Sequence, residues 1–394
     1  MCCDNNYPKF LRPLDGDVLN EFDGEVNDEK GHKVLKIRVK VAAPAESIIK
    51  INGVAAINIT TESEKNSTDC FTYLSNDNRT LYFNDNWALY EATVTLDGYR
   101  NTVVARDDNT GYESKIVIYW LKEGTGKYRI SVDDNIWFLR DLTENSNIYK
   151  SIFDNPYLKV FKDIHDKYGT KFHFNLFYQT EGFNLSQMTD KYKKEWQANA
   201  DWIRLTFHAL QEFPGKPYEN ATYGEMKRDY LLVTNEIKRF AGEELLSPIT
   251  TTHWGSATLE GARALRSLGI KGLVGYFKFD NEGKPLVSYY ADKDVVEHLS
   301  KRDCWKDNEE DIMFIRHDVV LNTLKLEEVV PYLENIKKDP HQSGIMEMLI
   351  HEQYFYDYYQ AYIPEFKEIL MTAARWATEN GYKPTFLSDV VLEK

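Results

Sequence analysis

Two adjacent aspartates, Asp133 and Asp134, follow a short apolar run from Tyr128 to Val132. Neighbouring side chains of a regular strand point to opposite faces, so both carboxylates reach one cleft only if the chain turns there. A pair placed in this way can divide the work of hydrolysis, because one carboxylate binds a metal ion while the other takes a proton from water. The alternative interpretation is a polar turn in which one aspartate caps a helix.

Histidines also follow apolar, strand-like runs. Four of the nine in the chain do so: His208, His253, His317 and His351. Glu212 lies four residues after His208. If the chain became helical there, these two would share one face at a spacing that suits metal ligands, although a simple helix hydrogen bond is the alternative. Five apolar runs that each end in Asp, His or both are a stronger signal than any single pair.

The elements that would position these residues occupy the second half of the chain. Helical spacing is found over 156–168, 223–240, 258–268, 326–336 and 364–380, and strand-like runs over 128–132, 171–177, 202–207, 270–276, 312–317, 346–351 and 385–387. Alternating strands and helices predict an α/β domain with parallel strands, which we interpret as a (β/α) barrel of seven or eight strands over residues 127–394. Barrel enzymes carry their chemistry at the C-terminal ends of the strands, where the Asp and His residues fall.

The first half of the chain has a different pattern. Apolar and polar residues alternate over 34–41, 90–96 and 115–120, and Asn52-Gly53 and Asp97-Gly98 supply turn signals between such runs. This pattern predicts an all-β sandwich over 16–123, preceded by a disordered segment at 1–15. Residues 51–53 and 96–101 resemble the immunoglobulin-like accessory modules found on many carbohydrate-active enzymes. The chain is therefore expected to be multidomain.

Composition excludes some functions. The net charge of −14 argues against nucleic acid, whose phosphates require a basic surface. No run approaches the length of a membrane-spanning helix, so membrane insertion is not expected. No hydrophobic region of a signal peptide follows Met1, which leaves a cytoplasmic and an extracellular location open because a signal can be removed. The four cysteines show no metal-ligand spacing.

The strand-end residues resemble the motifs of the polysaccharide deacetylase (NodB-homology) family of carbohydrate esterases, over about residues 127–391. The segment Ser131-Val132-Asp133-Asp134-Asn135 is similar to the family's first motif, which implies that Asp133 is the general base and Asp134 a metal ligand. The second motif has two histidines four residues apart. His208 matches the first, and Glu212 stands at the position of the second.

Later motifs match in part. The segment 252–255 keeps an aromatic residue and a glycine but lacks the family's arginine, so His253 either orients the base or binds the metal. Met348 to His351 resembles the last motif and implies that His351 is the general acid, with Asp318 the candidate group that tunes it. The resemblance implies a bound divalent metal ion, zinc first, with cobalt, nickel or manganese as alternatives.

Aromatic residues near the same strand ends are candidate contacts to sugar rings, because a flat apolar face with a polar rim stacks on them. These are Trp137, Tyr178, Trp254 and Tyr354, and rim packing is the alternative for each. Three functions remain open: a metal-dependent deacetylase that removes N- or O-acetyl groups from a glycan, a catalytically silent glycan-binding protein on a degenerate barrel, and a different hydrolase or isomerase on the same scaffold.

Overall fold

The computed structural model describes residues 6–29, 31–60, 70–74, 80–84 and 86–393. The chain divides into two compact units. Unit 1 comprises Met1–Glu123 together with the short segment Trp305–Glu309, and unit 2 comprises Gly124–Cys304 and Glu310–Lys394. The segment 305–309 lies outside the first domain predicted from the sequence, which covered residues 16–123. None of the helices in the described residues is long and apolar enough to cross a membrane.

Unit 1 is built from strands. They are β1 Lys9–Arg12, β2 Val18–Leu19, β3 Glu25–Glu29, β4 His32–Pro44, β5 Ile49–Ile51, β6 Val54–Ala55, β7 Ile57–Asn58, β8 Cys70–Leu74, β9 Thr80–Asn84, β10 Trp87–Leu96, β11 Arg100–Asp107 and β12 Glu113–Trp120. One sheet has the order β1-β4-β10-β7 with β3 beside β4, a second has the order β2-β12-β11-β5-β6, and β8 pairs with β9. Alternate residues of both five-stranded sheets, such as Leu35, Ile37, Val103 and Ile118, enter one common hydrophobic core.

The alternation in β4, β10 and β12 is confirmed, since the apolar face of each is buried in that core. The predicted disorder of residues 1–15 is wrong for Lys9–Arg12, because this segment pairs with β4 and buries Leu11. Residues 1–5 lie outside the described part of the chain. The immunoglobulin-like identity of the unit and the predicted domain boundaries stay predictions.

The main strands of unit 2, which alternate with helices along the sequence, pair in parallel. They are β13 Lys127–Asn135, β14 Phe172–Phe177, β17 Ile203–Ala209, β18 Ile249–Thr250, β19 Gly272–Gly275, β23 Ile312–Arg316, β24 Val319–Val320 and β25 Ile345–His351. Short strands complete the set: β15 Gln179–Thr180, β16 Phe183–Asn184, β20 Lys278–Phe279, β21 Pro285–Leu286 and β26 Lys383–Pro384. A further strand, β22 Cys304–Asp307, lies mostly in the segment Trp305–Glu309 that belongs to unit 1. The ladders form two sheets, one with the order β17-β14-β13-β25-β24 and one that contains β18-β19-β23. A single closed ladder of seven or eight strands is therefore not present among the described residues.

The helices of unit 2 follow the strands. They are α1 Trp137–Glu144, α2 Pro156–Tyr168, α3 Lys193–Ala198, α4 Tyr223–Phe240, α5 Leu259–Ser267, α6 Lys293–Leu299, α7 Leu326–Ile336, α8 Phe366–Glu379 and α9 Ser388–Val391. Local signals set their ends. Asn155 caps α2 with Pro156 in its first turn, and Thr222 and Glu225 form a capping box at α4. The strand predicted at 385–387 is wrong, because the strand ends at Pro384 and the chain turns into α9.

Candidate active site

A pocket of about 400 Å³ lies where β13, β17, β23 and β25 end. Its polar lining comprises Asp133, Asp134, His208, Glu212, Thr251, His253, His317, Asn322, Thr323 and His351. Its apolar and aromatic lining includes Phe213, Trp254, Tyr276, Val287, Val320, Leu349, Tyr354 and Tyr359. The C-terminal ends of strands from both sheets therefore supply one cavity, and most of the residues singled out by the sequence face it.

The backbone at Asp134 brings the two adjacent carboxylates to this pocket. Asp134 has φ of +64°, a left-handed conformation that is uncommon outside glycine. The pairing of β13 with β14 shifts register between Val132 and Asn135, around the same point. Because the chain turns instead of continuing the pleat, Asp133 and Asp134 both line the cavity. The turn predicted at this strand end is present.

Asp134, His208 and His253 form a compact group whose ligand atoms all lie within 4.8 Å of one another. The carboxylate atom Oδ1 of Asp134 is 3.0 Å from His208 Nε2 and 3.2 Å from His253 Nδ1. The two imidazole nitrogens are themselves 3.2 Å apart. Phe177 packs against both rings and limits their rotation. One carboxylate oxygen and two imidazole nitrogens thus converge on a single point.

The far sides of the two rings identify which nitrogens carry protons. His208 Nδ1 lies 2.6 Å from the carbonyl oxygen of Thr251, and His253 Nε2 lies 3.1 Å from that of Glu212. A carbonyl oxygen only accepts, so in each ring the nitrogen that faces away from Asp134 carries a proton and donates it to the carbonyl behind it. In the neutral rings the nitrogens that face Asp134 therefore carry lone pairs. The three atoms are satisfied either by protonation of the imidazoles, which then donate to Asp134, or by a cation bound between them. The donor set suits a divalent transition metal, and the carbonyls behind the rings are the backing that metal-bound histidines usually have.

The electrostatics of the group agree with cation binding. Burial by itself would raise the pKa of Asp134, but the hydrogen bonds from His208 and His253 outweigh it and hold the pKa well below the usual range. Burial opposes the charged form of His208, yet the charges of Asp133 and Asp134 overcome it and raise the pKa of that ring. The site is therefore a concentrated negative potential that attracts either a proton or a metal ion.

Glu212 does not join this group through its side chain, contrary to the role predicted from its spacing. The strand β17 continues through Ala209, and no helix follows, so His208 and Glu212 do not share a helical face. Two prolines, Pro214 and Pro217, lie in the segment that would have formed the helix. Glu212 contributes its backbone carbonyl, which orients His253. Glu212 lines the pocket, and burial first and the charge of Asp134 second raise the pKa of its carboxylate.

Asp133, the predicted base, is held by Asn175, which was not among the predicted site residues. Asn175 Nδ2 donates to Asp133 Oδ1 over 2.6 Å, and both side chains are buried. Asp133 is the pairing partner of His351 in the parallel ladder of β13 and β25, which places the predicted base and the predicted acid side by side. The polar residues His173 and Asn175 alternate with apolar residues in β14, and this alternation was the available signal for Asn175.

His351 is oriented by Asn322 and not by Asp318. Asn322 Oδ1 accepts hydrogen bonds from the ring Nδ1 and the backbone N–H of His351. Asp318 is directed elsewhere, since its carboxylate binds Arg316 and the backbone N–H of Glu347. Burial raises the pKa of Asp318 to about 7. Asp318 does not line the pocket, so the structure does not bring it to the site as predicted.

The residue after His351 secures the turn that carries Asp133 and Asp134. Glu352 is fully buried, and its carboxylate accepts hydrogen bonds from the backbone N–H groups of Ile136, Trp137 and Phe138 at the start of α1. These are donors that a helix leaves without internal partners. Burial nevertheless raises the pKa of Glu352 to about 7. One glutamate therefore ties the end of β25 to the turn after β13.

The four predicted sugar contacts have different positions. Trp254 and Tyr354 line the pocket, and Trp254 is 51% exposed with φ of +62°. Trp137 and Tyr178 are not among the lining residues. The ring of Trp137 nevertheless packs 6.0 Å from the ring of Tyr359, which does line the pocket. Phe213, Tyr276 and Tyr359 also line the pocket and were not predicted from the sequence.

Comparisons with known proteins give distant likenesses. No protein-family model matches the chain, and no curated protein sequence matches it. Among solved structures it is similar to a CE4 family pseudoenzyme from Bacillus anthracis, with 10% identity over 74% of this chain and 84% of that one, and a TM-score of 0.34. A CE4 esterase of Streptococcus mutans shares 13% identity over 66% and 84% of the two chains, with a TM-score of 0.34. The carbohydrate deacetylase Agd3 shares 8% identity over 85% and 68%, with a TM-score of 0.36. Likenesses this distant assign no activity to the chain.

Proposed function

We propose that the chain is a metal-dependent carbohydrate deacetylase that hydrolyses N- or O-acetyl groups on a glycan. The observation that carries the proposal is the convergence of one carboxylate and two backed imidazoles, Asp134, His208 and His253, beside a buried second carboxylate. A site built only to be a polar turn would not need both histidines to turn their lone pairs towards the same oxygen. In this assignment His253 takes the place predicted for Glu212.

The chain's own residues divide the hydrolysis between them. A bound divalent cation, with zinc first and cobalt, nickel or manganese as alternatives, would polarise the acetyl carbonyl and increase the acidity of water. Asp133 accepts the proton of the water that attacks the carbonyl carbon. His351, protonated, donates a proton to the leaving amine or hydroxyl as the acyl bond breaks, and acetate and the free sugar group result. Asn322 keeps the ring of His351 in the orientation that this transfer requires.

The same proposal covers the scaffold. We interpret the two parallel sheets of unit 2 as an irregular (β/α) barrel, since β17 and β18 are linked by a hydrogen bond from Thr250 Oγ1 to the carbonyl of Phe207, and the strand ends of both sheets supply one pocket. Unit 1 is proposed as an immunoglobulin-like accessory module. Two five-stranded sheets around one core support that interpretation.

Aromatic side chains at the pocket support a sugar as the substrate. Trp254, Tyr354, Tyr359 and the 71% exposed Phe213 line the pocket that holds the proposed reaction centre. Exposed aromatic residues of this kind stack on the apolar faces of pyranose rings. We propose Trp254 and Tyr354 as substrate-binding residues, with Phe213 and Tyr359 added.

The test combines metal analysis with product release. Protein purified without chelator is analysed for bound metal, and acetate release is measured from a panel of N- and O-acetylated oligosaccharides. The proposal expects one equivalent of a divalent metal and acetate release that is lost on chelation and restored by the metal. Asp133→Asn is the matched variant, because it should retain the metal and lose the activity. Protein that binds no metal after reconstitution would contradict the proposal.

A second function, glycan binding without catalysis, is favoured by one observation. Protonated His208 and His253 would each donate to Asp134 at the observed distances of 3.0 and 3.2 Å, so protons alone can satisfy the group. Metal-free protein that binds an oligosaccharide through Trp254, and releases no acetate with any metal added, would support this second candidate.

A further inference from the structure

A chain of buried polar side chains runs beneath the pocket through three adjacent strands, β13, β14 and β17. Arg129 Nη1 lies 2.7 Å from His173 Nδ1, and His173 Nε2 lies 2.7 Å from Thr206 Oγ1. Thr206 Oγ1 lies 2.6 Å from Asn175 Oδ1, and Asn175 Nδ2 lies 2.6 Å from Asp133 Oδ1. Every member is at most 3% exposed. The interior of such a sheet is usually apolar, so this chain calls for an explanation beyond packing.

The direction of every hydrogen bond in this series follows from Arg129, the first residue of the series. The guanidinium of Arg129 only donates, so His173 Nδ1 accepts and the ring proton lies on Nε2. Burial first and the charge of Arg129 second hold the pKa of His173 well below its usual value, which agrees with a neutral ring. His173 then donates to Thr206, whose one proton goes to the amide oxygen of Asn175. The amide nitrogen of Asn175 is consequently left to donate to Asp133.

The far end of the chain is anchored by a buried ion pair. Arg129 Nε and Nη2 bind the two carboxylate oxygens of Glu347 over 2.8 and 2.6 Å, a bidentate arrangement that fixes the guanidinium plane. Ser131 Oγ adds a hydrogen bond to Glu347 Oε1 over 3.0 Å. Since the guanidinium cannot rotate without breaking this pair, the donor that it presents to His173 has one direction.

We propose that His173, Thr206 and Asn175 are positioning residues that transmit the fixed direction of the Arg129 guanidinium to the carboxylate of Asp133. The series of hydrogen bonds ends at Oδ1 of Asp133, which accepts from the single amide donor of Asn175. No hydrogen bond to Oδ2 is found within the described residues, so this oxygen is the one that remains to receive a proton in the pocket. The catalytic role of Asp133 rests on the proposed deacetylase function, whereas its orientation by the chain does not.

The experiment removes one hydroxyl from the middle of the chain. Thr206→Val has nearly the shape of threonine but interrupts the chain, and Thr206→Ser restores it. Asn175→Asp is the second variant, because it places an acceptor opposite Asp133 where the structure has a donor. Thr234→Val is the matched control, since its hydroxyl is also buried but binds the Tyr230 carbonyl within α4. All four are prepared with bound metal and checked by thermal unfolding.

The proposal expects Thr206→Val and Asn175→Asp to lower kcat roughly 10- to 100-fold, as misplacement of a catalytic group does, with KM and metal content little changed. Thr206→Ser and Thr234→Val should keep the wild-type kcat. Crystal structures should show Asp133 turned away or disordered in Thr206→Val and in place in Thr206→Ser.

An Asp133 that keeps its orientation in both Thr206→Val and Asn175→Asp would overturn the proposal. The crystallographic comparison answers this question even if wild-type protein releases no acetate. Absence of acetate release would contradict the proposed function alone, so the two failures are distinguishable. If Thr206→Val does not fold, Asn175→Asp supplies the same comparison.

Discussion

A single amide oxygen, Asn322 Oδ1, holds His351 at two points. It lies 2.8 Å from the ring Nδ1 and 3.2 Å from the backbone nitrogen of that residue. A backbone N–H can only donate, so the atom that receives it must be the amide oxygen, and the ring Nδ1 must then be a donor as well. The opposite nitrogen, Nε2, is therefore the one available to give a proton to a substrate in the pocket.

Removing this amide is expected to disable the proposed acid without affecting the metal group. Asn322→Ala should lower kcat roughly 10- to 100-fold, because the ring is no longer held in its productive orientation. Metal content should match wild type, since Asn322 is not part of the group of Asp134, His208 and His253. Steady-state kinetics and elemental analysis of the same preparation measure both. Full activity in Asn322→Ala would contradict the orientation of His351 by Asn322.

A pair of variants tests whether His253 or Glu212 is the third ligand of the proposed metal site. His253→Ala should lose the bound metal, since it removes one of three converging ligand atoms. Glu212→Gln should retain the metal, because the backbone carbonyl that orients His253 remains. Elemental analysis and titration calorimetry with zinc provide the measurement. Metal loss in Glu212→Gln together with retention in His253→Ala would restore the ligand assignment made from sequence spacing.

Asp133 and Asp134 are adjacent, but their substitution is expected to have different effects on metal binding and on kcat. Asp133→Asn should keep the metal and lose a factor of roughly 10² to 10⁴ in kcat, the usual contribution of a general base. Asp134→Asn should lose both metal and activity, because its carboxylate is the anionic ligand of the group. Metal content measured next to acetate release separates the two. Equal metal loss in both variants would contradict the division of roles between the two carboxylates.

The raised pKa of Glu352 predicts that the stability of the protein depends on pH. Burial raises its pKa to about 7, against 4.5 for an ordinary glutamate. Between these values the folded protein keeps a proton that the unfolded chain has released, so the free energy of unfolding falls as pH rises from 4.5 to 7. The shift of about 2.5 units corresponds to roughly 3 kcal/mol. Glu352→Gln should flatten the denaturation profile over this window, and the exposed Glu244→Gln should not. An unchanged slope in Glu352→Gln would show that the folded-state pKa is not raised.

Trp254 is expected to act on substrate binding more than on chemistry. Trp254→Ala removes an exposed ring at the pocket and should raise KM for oligosaccharides with a smaller effect on kcat, because stacking on a sugar is present before and during the reaction. Trp137→Ala, which alters a ring outside the pocket lining, is the comparison. A larger rise in KM in Trp137→Ala than in Trp254→Ala would contradict this assignment.

Much of the fold followed from local patterns. The helices Pro156–Tyr168, Tyr223–Phe240 and Leu326–Ile336 begin and end where the helical spacing of the sequence predicted. The alternation in β4 predicted its buried face, because period-two burial is a local property of a strand. The segment Trp305–Glu309 could not be assigned in this way, since its membership in unit 1 depends on contacts distant in sequence.

The residue types available for chemistry at the site could be read from the amino-acid sequence. Carboxylates and imidazoles at strand ends were visible because β-strands and their ends can be read locally, and parallel strands bring those ends together. The tertiary structure decided the partners. His253 replaces Glu212 beside Asp134, and Asn322 replaces Asp318 beside His351. The reason is geometric: hydrogen-bonding distances of about 3 Å depend on the left-handed turn at Asp134, the loop after β17 and the packing of separate strands, none of which is encoded by spacing along the chain.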